Sequence, residues 1–120
     1  MASRQIRIDP QRELEINVIS RSPHVAGYRL WTRTTNTGPW TVVADGDTQD
    51  NLPDSKRLGP LSSGTALAYW FGIGGNPNSH YRAVLLLSQG GTVLPDGTLI
   101  EEGATDAAGF AVVEKEVAFT

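Results

Sequence analysis

The residues best suited to contact another molecule alternate along one stretch, GYRLWTR, which ends at Arg33. In an extended strand successive side chains point to opposite faces, so Arg29, Trp31 and Arg33 share one face. An indole offers a flat apolar surface, and a guanidinium offers a planar set of hydrogen-bond donors. Such a surface suits a sugar ring, which stacks on an aromatic side chain while its hydroxyls or carboxylates bind to arginine.

A second stretch, WTVVADGD, begins at Trp40 after the turn sequence NTGP, and the two stretches together predict a β-hairpin. If the turn holds an even number of residues, Trp40, Val42 and Ala44 join the face of Trp31. Two other interpretations stay open. The same residues could form a cation–π ladder or a mixed core around a buried indole, or they could form a protein–protein contact.

The most motif-like stretch is WFGIGGNPNSHYR, residues 70–82. A phosphate-binding glycine loop works because a helix begins directly after it, whereas another strand follows here. We therefore expect the glycines to form a bulge and a wide turn, and to let a ring such as Trp31 or Trp40 lie flat on the backbone. The loop is also a second candidate binding surface, through Asn76, Asn78, His80 and Tyr81.

Oxygen ligands for a metal ion are concentrated in DGDTQDN, where Asp45, Asp47 and Asp50 are candidate calcium ligands. The spacing differs from that of an EF-hand, and Asp-Gly and Asn are also ordinary turn residues. We expect no obligatory cofactor.

No group of residues predicts catalysis. The carboxylates of Glu101, Glu102 and Asp106 could act in glycoside cleavage only within a cleft, and they follow a tight hairpin instead. His24 and His80 lie beside turn residues, and no G-x-S-x-G motif is present. The absence of cysteine excludes a thiol nucleophile. The sequence therefore predicts a protein that is not an enzyme.

The elements that position these residues are strands. Alternation of apolar and polar residues recurs along almost the whole chain, and no window predicts an amphipathic helix. About eight or nine strands with frequent turns predict a single all-β domain over residues 1–120. We expect an antiparallel two-sheet β-sandwich of immunoglobulin-like or jelly-roll topology. TALAYWFGI and HYRAVLLLS are apolar on both faces and should be central strands, and GTVLPDGTLIEEG should form a second hairpin.

Composition narrows the function further. The chain has 120 residues, 39% of them hydrophobic, and a net charge of −3. Six arginines lie in the first 33 residues, whereas residues 61–120 hold two basic and six acidic side chains. An acidic chain without a lysine-rich run argues against nucleic-acid binding. No apolar run is long enough to span a membrane, and no signal peptide is recognisable, so we expect cytoplasmic synthesis, with export or incorporation into a particle left open.

Together these observations predict a non-catalytic, lectin-like binding module. It would recognise a carbohydrate or a similar surface through its aromatic and arginine side chains. The alternative is a structural subunit of a homo-oligomer or larger particle, because the apolar strands and the opposite charges of the two chain ends would suit assembly. A glycan and a protein surface are the two expected kinds of partner.

Overall fold

The computed structural model describes residues 4–20, 24–35, 37–48 and 54–120. Within these ranges the chain is all-β and forms a sandwich of two packed sheets, as the sequence predicts. The described residues contain no helix long and apolar enough to cross a membrane. The strands are β1 (Arg4–Ile6), β2 (Glu13–Ser20), β3 (Val25–Arg33), β4 (Thr41–Asp47), β5 (Asp54–Pro60), β6 (Ala66–Gly74), β7 (His80–Gln89), β8 (Thr92–Ala104) and β9 (Phe110–Phe119).

One sheet has five strands in the order β1-β9-β6-β3-β4, and the other has four in the order β5-β2-β7-β8. The strand pairs are antiparallel except for β1 and β9, which run parallel. The two apolar segments recognised in the sequence become β6 and β7, and each has a neighbour on both sides. The predicted hairpin of β3 and β4 is also present.

The predicted second hairpin is wrong. Residues Thr92–Ala104 form one strand, β8, and the segment between Val93 and Thr98 bulges out while both flanks pair with β7. Asp96 has the positive φ of 60° that a turn residue would show. The turn that joins β7 to β8 is instead formed by Gly90 and Gly91, with φ values of 59° and 80°. A local turn signal fixes backbone conformation, but it does not decide which strands pair.

The core lies between the sheets and is filled by alternate residues of every long strand. The largest fully buried side chains include Phe71 of β6, Phe119 of β9, Leu30 of β3 and Leu85 of β7. This burial orients the rest of each strand, because the residues between the core positions must then point outward.

On each open side of the sandwich, a tyrosine hydroxyl donates a hydrogen bond to a carboxylate on the facing sheet. On one side the Tyr28 hydroxyl of β3 donates to Asp54 of β5. On the other, the Tyr69 hydroxyl of β6 donates to Glu101 Oε2 of β8 at 3.1 Å, and Lys115 Nζ lies 3.7 Å from Glu101 Oε1. Polar side chains therefore connect the two sheets at the rims of an otherwise apolar core.

These contacts predict abnormal tyrosine ionisation. Burial, together with Asp54 and Glu101 respectively, raises the pKa of Tyr28 and Tyr69, and burial raises the pKa of Tyr81. These are the three tyrosines of the chain. In the folded protein each tyrosine pKa exceeds the unfolded value of about 10. The contribution of the protonated tyrosines to folding stability is therefore complete below that pH and is lost as the pH rises through the folded pKa values.

We expect little tyrosinate absorbance at about pH 10 in the folded protein, and a full titration near that pH in denaturant. The ultraviolet difference spectrum measures both, and circular dichroism shows whether folding persists. A folded protein whose tyrosines ionise with a midpoint near 10 would contradict the two inter-sheet contacts.

Candidate functional site

The outer face of the five-stranded sheet carries all three tryptophans of the chain. Trp31 of β3 lies opposite Ala68 of β6, and Trp70 lies opposite Arg29, so both indoles project from the same side. Trp40, directly before β4, lines a groove together with Trp31. All three are half-buried. We call this surface, formed by the three indoles and the side chains between them, the tryptophan face.

Trp31 separates two shallow grooves on this face. The first has a volume of about 620 Å³ and is lined by Trp31, Trp40, Ala68 and Tyr69 together with Glu114, Lys115 and Glu116 of β9. The second has a volume of about 580 Å³ and lies between Trp31 and Trp70, over Gly27, beside Arg29, Asp45, Asp47 and Glu114. Both volumes fall within the range of about 300–1,000 Å³ that is usual for small-ligand sites.

The indole of Trp40 is held in place by Arg33. The guanidinium carbon of Arg33 lies 4.5 Å from the centre of the Trp40 ring, within the range of a cation–π contact. The Nε atom of Arg33 is buried and has no hydrogen-bond partner among the described residues. The cation–π interpretation thus holds for this pair, and Arg33 orients a groove wall instead of projecting into the groove.

The indole of Trp70 lies against its own strand. A Cβ atom at Gly72 would overlap Trp70 Cη2, so the ring covers the position where a side chain would stand. The expectation that a glycine in a central strand admits a flat ring is met, although by Trp70 and not by Trp31 or Trp40. Residues two apart in a strand share a face, so the spacing of Trp70 and Gly72 is the sequence feature from which this contact could be predicted.

A bulge in β4 changes which of its residues join the tryptophan face. Val42 lies opposite Trp31, as predicted, but the register shifts after it, so Ala44 pairs with the buried Leu30. The prediction for Ala44 is therefore wrong. Asp45 takes the outward position opposite Arg29, and the Arg29 Nη2 to Asp45 Oδ2 distance is 3.9 Å. An extra residue reverses the alternation for every position beyond it.

Two of the candidate calcium ligands fall on this strand. Asp45 and Asp47 both lie on the outer side of β4, opposite Arg29 and Gly27. Asp50 lies outside the described residues. Among residues 4–20, 24–35, 37–48 and 54–120, no group of three His, Cys, Asp or Glu side chains is arranged to hold a metal ion.

The second candidate surface, the β6–β7 loop, is separate from the tryptophan face. Asn76 and Asn78 are exposed in this loop, and His80 is exposed at the start of β7 in the other sheet. Tyr81 is only 7% exposed and packs in the core, so its ring is not available to a surface ligand. A side chain from outside the loop holds its backbone: Thr105 Oγ1, which follows β8, donates to the Asn76 carbonyl at 2.6 Å.

The side chains of His24 and Ser79 are in contact but are not arranged for nucleophilic catalysis. His24 Nε2 lies 2.8 Å from Ser79 Oγ, but Ser79 donates its hydroxyl hydrogen to the Asn76 carbonyl at 2.8 Å. His24 must therefore donate to Ser79, which is the reverse of what a general base does. This pair fastens the β6–β7 loop to the start of β3.

The late carboxylates also have structural partners. Glu101 accepts from Tyr69, and Glu102 lies 3.5 Å from Arg82. Asp106 accepts from the backbone N–H groups of Phe110 and Ala108 at 2.9 Å, and these bonds lower its pKa. The absence of enzymatic activity stays a prediction.

Comparison of the chain with models of protein families, with curated proteins and with solved structures finds no match.

Substitution of Gly72 by alanine should displace Trp70. The new methyl group would occupy the place of the indole edge, so the ring must swing outward. We expect Trp70 to become more accessible to acrylamide, measured in a background where Trp31 and Trp40 are phenylalanine. Loss of the contact between the Trp70 ring and the strand should lower the free energy of unfolding, measured in urea, by about 1 kcal/mol.

Gly74→Ala is the matched control. Its Cβ would lie 3.6 Å from Phe110 Cε1, an ordinary contact on the same face of the same strand. This variant should leave Trp70 unchanged and be neutral or slightly stabilising, by up to about 1 kcal/mol, because alanine restricts the unfolded chain. Equal quenching in the two variants would show that Trp70 does not lie on Gly72.

Proposed function

We propose that this protein is a non-catalytic binding module that recognises a glycan through the tryptophan face. The observation that carries this proposal is that all three tryptophans project from one outer sheet surface and flank two grooves. Large aromatic side chains are mostly buried in folded proteins, and a cluster of them on the exterior commonly marks an interaction site.

The chemistry of the grooves suits sugar rings. Each groove is lined by two indoles, and polar groups lie beside the aromatic surfaces: Arg29 with its partner Asp45, and the carboxylate of Glu114. A pyranose presents an apolar C–H face to stack and a rim of hydroxyls to hydrogen-bond, so it meets both kinds of group together. Trp31 borders both grooves and is the residue on which binding should depend most.

The surface is also preorganised. Trp31 and Trp70 lie on neighbouring central strands that are paired along nine residues, and Trp40 is fixed by Arg33. On paired strands, diagonal neighbours such as Trp31 and Trp70 are separated by about 7–8 Å. A rigid surface loses little conformational entropy on binding, which favours affinity for a ligand with few strong contacts.

Replacement of Trp31 by alanine should therefore abolish most glycan binding. A glycan array identifies a ligand for the intact protein, and tryptophan fluorescence or calorimetry then measures its affinity. We expect Trp31→Ala to weaken that affinity by about 30-fold or more, equivalent to about 2 kcal/mol.

Phe110→Ala provides the control, since Phe110 is a 61% exposed aromatic residue at the end of the same sheet, outside both grooves. Its loss should leave glycan affinity within about twofold, as expected for a residue that does not contact the ligand. If no glycan binds or alters the tryptophan emission, the proposed function fails.

A second candidate function, assembly into a homo-oligomer, is supported by a different set of residues. Val42, Phe110 and Val112 are 48%, 61% and 66% exposed, and they extend the apolar surface beyond the grooves. Size-exclusion chromatography with light scattering distinguishes the two candidates. A concentration-independent monomer would oppose assembly, whereas an oligomer dissociated by Val112→Glu would favour it.

A further inference from the structure

We infer, on the basis of the proposed function, that the glycan bound by the tryptophan face carries protonated amines, as a glucosamine polymer does, and that Glu114 receives them. Two observations support this inference: the balance of charge in the grooves and the position of one carboxylate that has no partner among the described residues.

The grooves hold more acidic than basic side chains. Asp45, Asp47, Glu114 and Glu116 line them, whereas among the described residues Arg29 and Lys115 are the basic ones that line either groove. Lys115 is paired with Glu101, at 3.7 Å. Arg29 is paired with Asp45, at 3.9 Å, and the charge of Arg33 lies against Trp40. A negative excess beside aromatic rings favours a cationic ligand and opposes an anionic one.

Glu114 is the carboxylate best placed to receive a cation. It lines both grooves, and in β9 it lies directly opposite Trp70 of β6. Directly opposed residues on paired strands have their Cβ atoms about 4.5–5.5 Å apart. Glu114 is exposed and makes no hydrogen bond or ion pair with the residues that the structure describes.

An ammonium group bound beside Glu114 would gain two attractions at once. It would pair with the carboxylate, and it would lie near the indole of Trp70, whose ring face attracts cations. A neutral sugar could still stack in the grooves, but it would leave Glu114 without a charged partner. A sugar acid would be repelled by the same group.

A basic peptide offers the same charge, but it fits the surface less well. A lysine side chain is a thin, flexible chain, whereas a glucosamine ring covers an indole face and carries its amine on a rigid frame. Three indoles beside two grooves therefore favour a ring-bearing ligand over a linear one.

The test compares β-1,4-linked oligosaccharides of equal length built from glucosamine, glucose and glucuronic acid. Binding is measured by tryptophan fluorescence at about pH 6, where carboxylates are ionised and amines are protonated. We expect glucosamine to bind about three- to tenfold more tightly than glucose, and glucuronic acid to bind most weakly. The preference should shrink as salt screens the charges.

Glu114→Gln should reduce the ratio of glucosamine to glucose affinity toward one. Glu102→Gln is the matched control, because Glu102 is an exposed glutamate on the four-stranded sheet. This substitution removes the same charge on the sheet that does not carry the grooves. This control should keep the wild-type ratio. Circular dichroism of each variant confirms that the fold is retained.

The outcomes separate the inference from the proposed function. Equal binding of glucose and glucosamine, or an unchanged ratio in Glu114→Gln, would overturn the inference while the glycan-binding function stands. Failure of every oligosaccharide to bind would overturn both. Tight binding of an oligolysine peptide that glucosamine oligomers cannot displace would show that the ligand is a basic peptide and would likewise overturn the inference.

Discussion

The antiparallel pairing of β3 with β6 is the constraint on which the rest of this structure depends. It runs unbroken for nine residue pairs, from Val25 with Gly74 to Arg33 with Ala66. A shift of one residue would turn every core side chain of these strands outward and every outward one into the core. Burial of Leu30 and Phe71 on the inner side therefore fixes Trp31 and Trp70 on the outer side.

This pairing also explains how one strand can be apolar on both faces. The inner side of β6 supplies Leu67, Tyr69 and Phe71 to the core, and the outer side carries Trp70 on the bare backbone of Gly72. A side chain at Gly72 would leave no room for the indole in this position. The strand thus combines full burial on one side with a flat aromatic surface on the other.

In the proposed site the arginines, the indoles and the carboxylate each have a separate role. Arg33 fixes Trp40, and Arg29 is paired with Asp45, so the arginines serve mainly to organise the surface. In the proposed function the indoles would provide the contact area, and Glu114 would provide a charge that has no partner among the described residues. The other late carboxylates have partners elsewhere: Glu101 accepts from Tyr69 of the facing sheet, Glu102 lies beside Arg82, and Asp106 accepts from backbone N–H groups. Function in such a sandwich depends on what one face displays, since the fold itself specifies no activity.

The sequence by itself determined the all-β class and the alternation that puts Arg29, Trp31 and Arg33 on one face, because period-two patterning is a local property of the chain. Only the tertiary structure decided that this face is the outer one and that Tyr81 is buried. It also decided that a bulge in β4 places Asp45 instead of Ala44 on the tryptophan face. Tertiary pairing also brought Glu114 beside Trp70, from a strand more than forty residues away. Strand neighbours and the buried side of a sheet are set by long-range pairing and by core burial across the whole domain, and no short window of residues contains that information.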